Sequence, residues 1–124
     1  MEKLKVLLVD DEEDFVTALA ERMSLRGIDA KASFTCEDAL RQVEADLPQC
    51  VVLDVMMPGL GGLEVLARIK KNHPELEVIL LTGQGGNWEG VDEGKRLGAF
   101  ACLMKPLSID ELIDNIRRAL GERD

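Results

Sequence analysis

The run Cys50–Gly59 reads CVVLDVMMPG, and it joins an apolar segment to a carboxylate and a turn. Its first four residues are β-branched or apolar, which is typical of a strand buried on both faces of a sheet. Asp54 follows directly, and a Pro-Gly turn comes four residues later. We therefore place Asp54 at the carboxyl end of a central strand. Open α/β sheets bind ligands at that edge, so this carboxylate is either a reactive group or a buried charge that needs partners.

Four further runs resemble strands, and helical patterns separate them. The five predicted strands are Leu4–Val9, Ile28–Ser33, the run that ends at Asp54, Glu77–Leu81 and Phe100–Met104. Strand and helix alternate five times with short connections, which predicts an α/β fold with a parallel sheet and helices on both faces.

The predicted helices differ in their expected stability. Helix one is expected to bury a stripe against the sheet, formed by Phe15, Val16, Leu19, Ala20 and Met23. Thr35 and Ser108 are expected to cap the second and the last helix at their N-termini. The fourth helix, from about Trp88 to Leu97, contains Gly90 and Gly94, each of which costs about 1 kcal/mol relative to alanine. It is predicted to be the least stable helix.

The composition limits the classes of function. The chain has 124 residues, 46% of them hydrophobic, which suits a single domain over residues 1–124. The net charge of −9 disfavours direct binding to nucleic acid or to anionic lipid. No apolar run approaches the roughly 20 residues of a membrane helix and no signal-peptide pattern is present, so a cytoplasmic protein is expected.

The three cysteines show no pattern of a disulfide or a metal site. Cys36, Cys50 and Cys102 are far apart, and the single histidine, His73, lies in a predicted helix-terminating turn. We interpret the cysteines as reduced and mostly buried thiols, and we assign His73 no catalytic role.

The predicted strand ends carry a set of polar residues. Asp10 and Asp11 follow strand one, Asp54 follows strand three, Thr82 follows strand four and Lys105 follows strand five. Three converging carboxylates need a cation, and an oxygen-lined pocket suits Mg²⁺ together with phosphate oxygens. A lysine and a hydroxyl group would complete a phosphoryl site, in which an aspartate could act as a nucleophile towards phosphorus. Glu12 and Glu13 are interpreted only as acids that complement the helix dipole.

Over its whole length the sequence resembles the receiver domain of two-component response regulators, the chemotaxis response regulator among them. The residues that carry the resemblance are Val9-Asp10-Asp11-Glu12, Asp54 with Met57-Pro58-Gly59, Thr82, Gly98-Ala99 and Lys105-Pro106. The resemblance implies a flavodoxin-like, doubly wound (βα)5 fold with strand order 2-1-3-4-5.

The resemblance also implies a role for each site residue. Asp54 would be the phosphoacceptor, and the donor would be a phosphohistidine on a sensor histidine kinase or a histidine phosphotransfer protein. Asp10, Asp11 and Asp54 would bind Mg²⁺ together with the backbone carbonyl of Met56. Thr82 and Lys105 would contact the phosphoryl group. The resemblance also suggests a cis Lys105-Pro106 peptide bond. In an X-Pro bond the cis form costs only about 0.5–1 kcal/mol relative to the trans form.

The sequence departs from the family pattern at three places. Cys102 stands where the family usually has a switch aromatic, Gly61 replaces an aspartate that often caps helix three, and the loop after Thr82 is one residue longer. We therefore expect activation to work mainly through the glycine-rich segment 83–87 and helix four rather than through an aromatic on strand five. The residues assigned to this switch region are Gln84, Trp88 and Cys102. A surface of helix four, strand five and helix five would bind a target or form a homodimer.

Other functions fit the residues less well. A phosphatase with an aspartyl-phosphate intermediate would need a second acid two residues after the nucleophile, where this chain has Met56. A nucleotide- or flavin-binding module would need a phosphate loop after strand one, where the acidic run would repel the phosphate. A receiver-shaped interaction module that is never phosphorylated remains the alternative. Whether the domain stands alone or belongs to a longer regulator stays open, as do its kinase and its output.

Overall fold

The computed structural model describes residues 3–56, 61–83, 90–106 and 108–121. Within these residues five strands alternate with five helices. The strands are β1 (Lys5–Val9), β2 (Asp29–Ser33), β3 (Cys50–Asp54), β4 (Glu77–Thr82) and β5 (Ala101–Met104). The helices are α1 (Glu13–Leu25), α2 (Cys36–Ala45), α3 (Gly62–Asn72), α4 (Val91–Arg96) and α5 (Ile109–Ala119). All strand pairs are parallel and the order is β2-β1-β3-β4-β5, which confirms the predicted fold class.

The sheet has an apolar layer on each face, and β3 contributes to both. Every residue of β3 is buried. Val51 and Leu53 belong to one hydrophobic cluster, whereas Cys50 and Val52 belong to the other. This alternation follows from the two-residue period of a strand and explains the uninterrupted apolar run in the sequence. Asp54 therefore lies at the end of the most completely buried strand of the described sheet.

The predicted N-caps of α2 and α5 are confirmed, and glycines follow the C-terminal ends of α1 and α5. The hydroxyl oxygens of Thr35 and Ser108 accept hydrogen bonds from the backbone N–H groups of Asp38 and Glu111, at 3.0 Å in both cases. Gly27 and Gly121 follow α1 and α5 with φ angles of 83° and 78°. Such left-handed backbone favours glycine after a helix.

Two predictions about the helices and strands need correction. Strands β1, β2 and β5 each begin one residue later than expected, and β4 ends one residue later, at Thr82. The described part of α4 begins at Val91, and the predicted start at Trp88 lies outside the described residues. Phe15, predicted to be buried, is 39% exposed, because it lies in the first turn of α1, beside the carboxyl edge of the sheet.

Gly62 allows α3 to approach the end of β3. A Cβ atom at this position would lie 2.6 Å from the Cα atom of Val55, which directly follows Asp54. Because that neighbour is backbone, a side chain could be accommodated only by a shift of the main chain. Gly62→Ala is therefore expected to lower the free energy of unfolding by about 1–3 kcal/mol.

Urea denaturation of Gly62→Ala and of the wild type measures this change in the free energy of unfolding. Gly61→Asp is the matched control, because no described atom lies within 4 Å of the Cβ it would add. The backbone of Gly61 is extended at the N-cap of α3, so the aspartate should raise stability by a few tenths of a kcal/mol. Equal stability of Gly62→Ala and the wild type would contradict the predicted clash.

Across the described ranges, no helix has both the length and the apolar character that crossing a membrane requires.

Candidate functional site

The carboxyl ends of the strands bring the predicted polar residues to one edge of the sheet. Asp10 directly follows β1, Asp54 ends β3 and Thr82 ends β4. All three are buried, with exposures of 1%, 5% and 5%. Because β1 and β4 flank β3, the sheet order places Asp10 and Thr82 on either side of Asp54.

Lys105 crosses this edge and contacts three carboxylates. Its Nζ atom lies 2.7 Å from Oδ2 of Asp10, 3.0 Å from Oε1 of Glu12 and 3.3 Å from Oδ2 of Asp54. The side chain is 16% exposed. An ammonium group has three protons, so each can be donated to one of these carboxylates. The structure thus brings together Asp10, Asp54 and Lys105 as predicted.

Backbone hydrogen bonds orient the site residues. The N–H group of Glu12 donates to Oδ1 of Asp10, and the N–H group of Met56 donates to Oδ1 of Asp54, at 2.9 Å in both cases. The N–H group of Lys105 donates to the carbonyl oxygen of Thr82 at 2.9 Å, which extends the pairing of β4 and β5 by one residue. The Lys105-Pro106 peptide bond is cis, as predicted.

Carboxylate oxygens form a group that suits a hard cation. Oxygens of Asp10, Glu12 and Asp54 all lie within 4.8 Å of one another. Three carboxylates face a single ammonium group, so the cluster keeps an excess of negative charge that a divalent ion would neutralise. The donor set therefore fits Mg²⁺, which prefers oxygen ligands. Asp11 is exposed and is not part of this group among the described residues.

The environment shifts the pKa values of two site residues. Burial raises the pKa of Asp10 above its ordinary value, although the hydrogen bond from Lys105 opposes this shift. Burial alone would lower the pKa of Lys105, but the hydrogen bonds to Asp10 and Glu12 and the charge of Asp54 outweigh it and raise that pKa. Lys105 is consequently a permanent cation at neutral pH and can stabilise negative charge on a ligand.

Of the other singled-out residues, Met56 contacts the cluster through its backbone N–H group, whereas the rest lie away from it or outside the described residues. Gln84 and Trp88 belong to the latter group, as do Met57, Pro58 and Gly59. Cys102 is half-buried in β5, and burial raises the pKa of its thiol above the ordinary value. Met56 follows β3 and is largely exposed.

The remaining cysteines and the histidine have structural surroundings. Cys36 and Cys50 are buried thiols, and burial raises the pKa of Cys50 to about 12. Nε2 of His73 lies 2.6 Å from Oε2 of Glu44, a contact between the C-terminal end of α3 and α2. These surroundings agree with the interpretation of all three residues as structural.

Two residues of the site were missed by the sequence interpretation. Glu12 was assigned to the first turn of helix one, but α1 begins at Glu13, and the carboxylate of Glu12 binds Lys105. Phe15 was assigned to the core, but its ring centroid lies 4.8 Å from Nζ of Lys105. The helix dipole explains an acid at the position of Glu12, and the helical spacing of Phe15 indicated the core, so local patterns singled out neither residue.

Comparison with known proteins identifies a family. The model of the response regulator receiver domain matches residues 6–117. DctD of Pseudomonas aeruginosa, a C4-dicarboxylate transport transcriptional regulatory protein, is 38% identical over 96% of this chain and 26% of its own length. PhoP of Bacillus subtilis, an alkaline phosphatase synthesis transcriptional regulatory protein, is 34% identical over 94% of this chain and 48% of its own length. The chain thus spans about a quarter to a half of these relatives.

Solved structures give the same result. The receiver domain of NtrX from Brucella abortus superposes with a TM-score of 0.86 at 37% identity, over 95% of this chain and 99% of that one. A CheY-like response regulator receiver domain protein from Methanospirillum hungatei superposes with a TM-score of 0.90 at 23% identity, which supports the fold alone.

Proposed function

The chain belongs to the family of response regulator receiver domains of two-component systems, and from this premise we propose that it accepts a phosphoryl group on Asp54. The donor is a phosphohistidine of a sensor histidine kinase or of a histidine phosphotransfer protein. The observation that carries the proposal is the bridge made by Lys105, whose ammonium group hydrogen-bonds both Asp10 and Asp54 at the ligand-binding edge of the sheet. Residues 1–124 act as one receiver domain.

Asp54, Lys105 and Thr82 have separate roles in this phosphoryl transfer. A carboxylate oxygen of Asp54 forms a bond to phosphorus while the bond from phosphorus to the imidazole nitrogen breaks, and the electron pair of that bond leaves with the nitrogen. Lys105 neutralises charge on the phosphoryl oxygens, and the hydroxyl group of Thr82 donates a hydrogen bond to one of them. The product is an acyl phosphate on the protein, so the domain promotes only its own phosphorylation and dephosphorylation.

Receiver domains bind Mg²⁺ through an acidic pocket. In this chain we assign the ion to the carboxylates of Asp10, Asp11 and Asp54 and the backbone carbonyl of Met56. Bound there, Mg²⁺ supplies positive charge that offsets the repulsion between the carboxylates and the phosphoryl oxygens. The cluster of Asp10, Glu12 and Asp54 carboxylates supports a cation at this edge of the sheet, whereas the contacts with Asp11 and Met56 rest on the family resemblance.

A protein surface would carry the signal onward. We assign this role to the face formed by α4, β5 and α5, as a contact for a regulated target or a second copy of the chain. Phe100 and Met104, at the two ends of β5, are large apolar residues that are exposed. Apolar side chains of this kind supply the buried core of a protein interface. In this proposal Gln84, Trp88 and Cys102 form the switch region.

Acetyl phosphate tests the proposed reaction without knowledge of the natural donor. Incubation of the protein with acetyl phosphate and Mg²⁺ should add one phosphoryl mass, measured on the intact protein. Hydroxylamine should remove the adduct, because it cleaves acyl phosphates and leaves phosphate esters of serine and threonine intact. An adduct that survives hydroxylamine would refute the acyl phosphate. Absence of any adduct would favour the alternative of an interaction module that is never phosphorylated.

A further inference from the structure

Phe15 is a large apolar residue whose position the core does not explain. It is 39% exposed, and it belongs to neither of the two hydrophobic clusters formed by the described residues. Its neighbours on the same helix, Val16 and Met23, are buried against the sheet. The aromatic ring instead lies beside the ammonium group of Lys105, with 4.8 Å between Nζ and the ring centroid.

We propose that Phe15 is a positioning residue of the phosphoryl-transfer site, whose ring holds the Lys105 ammonium group beside Asp54. This inference rests on the proposed function. A lysine ammonium group within about 6 Å of a ring centroid is attracted by the negative face of the ring. The attraction strengthens when water is excluded, and here the lysine side chain is only 16% exposed.

The three carboxylates alone do not hold the ammonium group of Lys105 beside Asp54. Each of them can accept one ammonium proton, but they differ in exposure, since Asp10 and Asp54 are buried whereas Glu12 is exposed. A lysine side chain is flexible, and the exposed Glu12 can draw its ammonium group towards solvent. The ring of Phe15 lies against the ammonium group and attracts it without accepting a hydrogen bond from it. It therefore favours the arrangement in which Lys105 stays close to Asp54.

The consequence is a defined kinetic effect. Without the ring, Lys105 should spend less time where it can neutralise a phosphoryl group on Asp54. Phe15→Leu removes the aromatic face and keeps a large apolar side chain, so it should lower the maximal rate of phosphorylation by acetyl phosphate about two- to fivefold. The concentration of acetyl phosphate that gives half the maximal rate should stay unchanged. Phe15→Tyr keeps an aromatic face and should retain the wild-type rate.

Two features make this test specific. Acetyl phosphate is too small to need a docking surface, so a slower rate cannot arise from a lost contact with a donor protein. Leu47→Ala is the control, because Leu47 is similarly exposed, at 43%, and lies between α2 and β3 at the opposite edge of the sheet. It should leave the rate unchanged. Equal rates for Phe15→Leu and the wild type, or an equal loss in Phe15→Tyr, would overturn the inference.

A spectroscopic measurement tests the contact without any phosphorylation. The ring current of Phe15 should shift the ε-methylene proton resonances of Lys105 in the NMR spectrum of the free protein, with the resonances assigned through Lys105→Arg. The shift should persist in Phe15→Tyr and disappear in Phe15→Leu. Its persistence in Phe15→Leu would refute the contact and the inference. A wild-type protein that forms no adduct refutes the proposed function, whereas an adduct formed equally fast in Phe15→Leu refutes only the role of Phe15.

Discussion

Asp54→Asn is expected to abolish the formation of the acyl phosphate. The amide group of asparagine lacks the charged oxygen that attacks phosphorus, so no acyl phosphate can form at this position. The substitution preserves the shape of the side chain, and its carbonyl oxygen can still accept the hydrogen bond from the N–H group of Met56. Lys105 keeps its contacts with Asp10 and Glu12. A loss of labelling would therefore report on the nucleophile rather than on the fold.

The measurement is the intact mass of the protein after incubation with acetyl phosphate and Mg²⁺. Asp29→Asn is the matched control, since Asp29 begins β2 at the opposite edge of the sheet, and this variant should be labelled like the wild type. Circular dichroism of Asp54→Asn should confirm that the variant is folded. An undiminished, hydroxylamine-sensitive adduct on folded Asp54→Asn would disprove the assignment of the phosphoacceptor.

Removal of divalent cations is expected to slow phosphorylation of the wild type at least about a hundredfold. Three carboxylates then face one ammonium group, and their excess negative charge repels the incoming phosphoryl group. A metal ion at such a site stabilises transition-state charge by several kcal/mol, and each 1.36 kcal/mol corresponds to a factor of ten in rate. The rate with acetyl phosphate should fall in EDTA and recover when excess Mg²⁺ is added. Unchanged labelling in EDTA would contradict the requirement.

The same assay can separate the roles of Asp11 and Glu12. Family resemblance assigns Mg²⁺ to Asp11, whereas the described structure groups the carboxylate of Glu12 with Asp10 and Asp54. Asp11→Asn should increase the Mg²⁺ concentration needed for half the maximal rate, and Glu12→Gln should change it less. If Glu12→Gln increases this Mg²⁺ concentration more than Asp11→Asn does, the metal contact belongs to Glu12 rather than to Asp11.

Local patterns in the sequence were sufficient to predict the elements of the fold. The uninterrupted apolar run before Asp54 indicated a strand buried on both faces, because a strand presents alternate residues to each face and both are covered here. The caps at Thr35 and Ser108 depend on groups three residues apart, so they too could be read locally. Short connections between alternating strands and helices favoured a parallel sheet, and its strand order followed from the family resemblance.

The site could be predicted only in part from these patterns. Parallel strands place their carboxyl ends at one edge, which made the meeting of Asp10, Asp54 and Lys105 predictable. Spacing alone did not reveal Glu12, since an acid near the start of a helix has a sufficient explanation in the helix dipole. The contact of Glu12 with Lys105 spans 93 positions in the sequence and depends on the fold, which brings the residue before α1 and the residue after β5 to the same edge of the sheet.

Tertiary structure alone decided which apolar residues are core residues at the edge of the sheet. Helical spacing assigned Phe15 to the buried stripe of α1, but the first turn of the helix lies beside the strand ends, where the ring meets Lys105. Gly62 likewise carried no local sign that α3 approaches the backbone of Val55. Periodicity in a sequence reports which side of a helix or strand is apolar. It cannot report what covers that side, because the covering residues come from distant parts of the chain and are brought there only by folding.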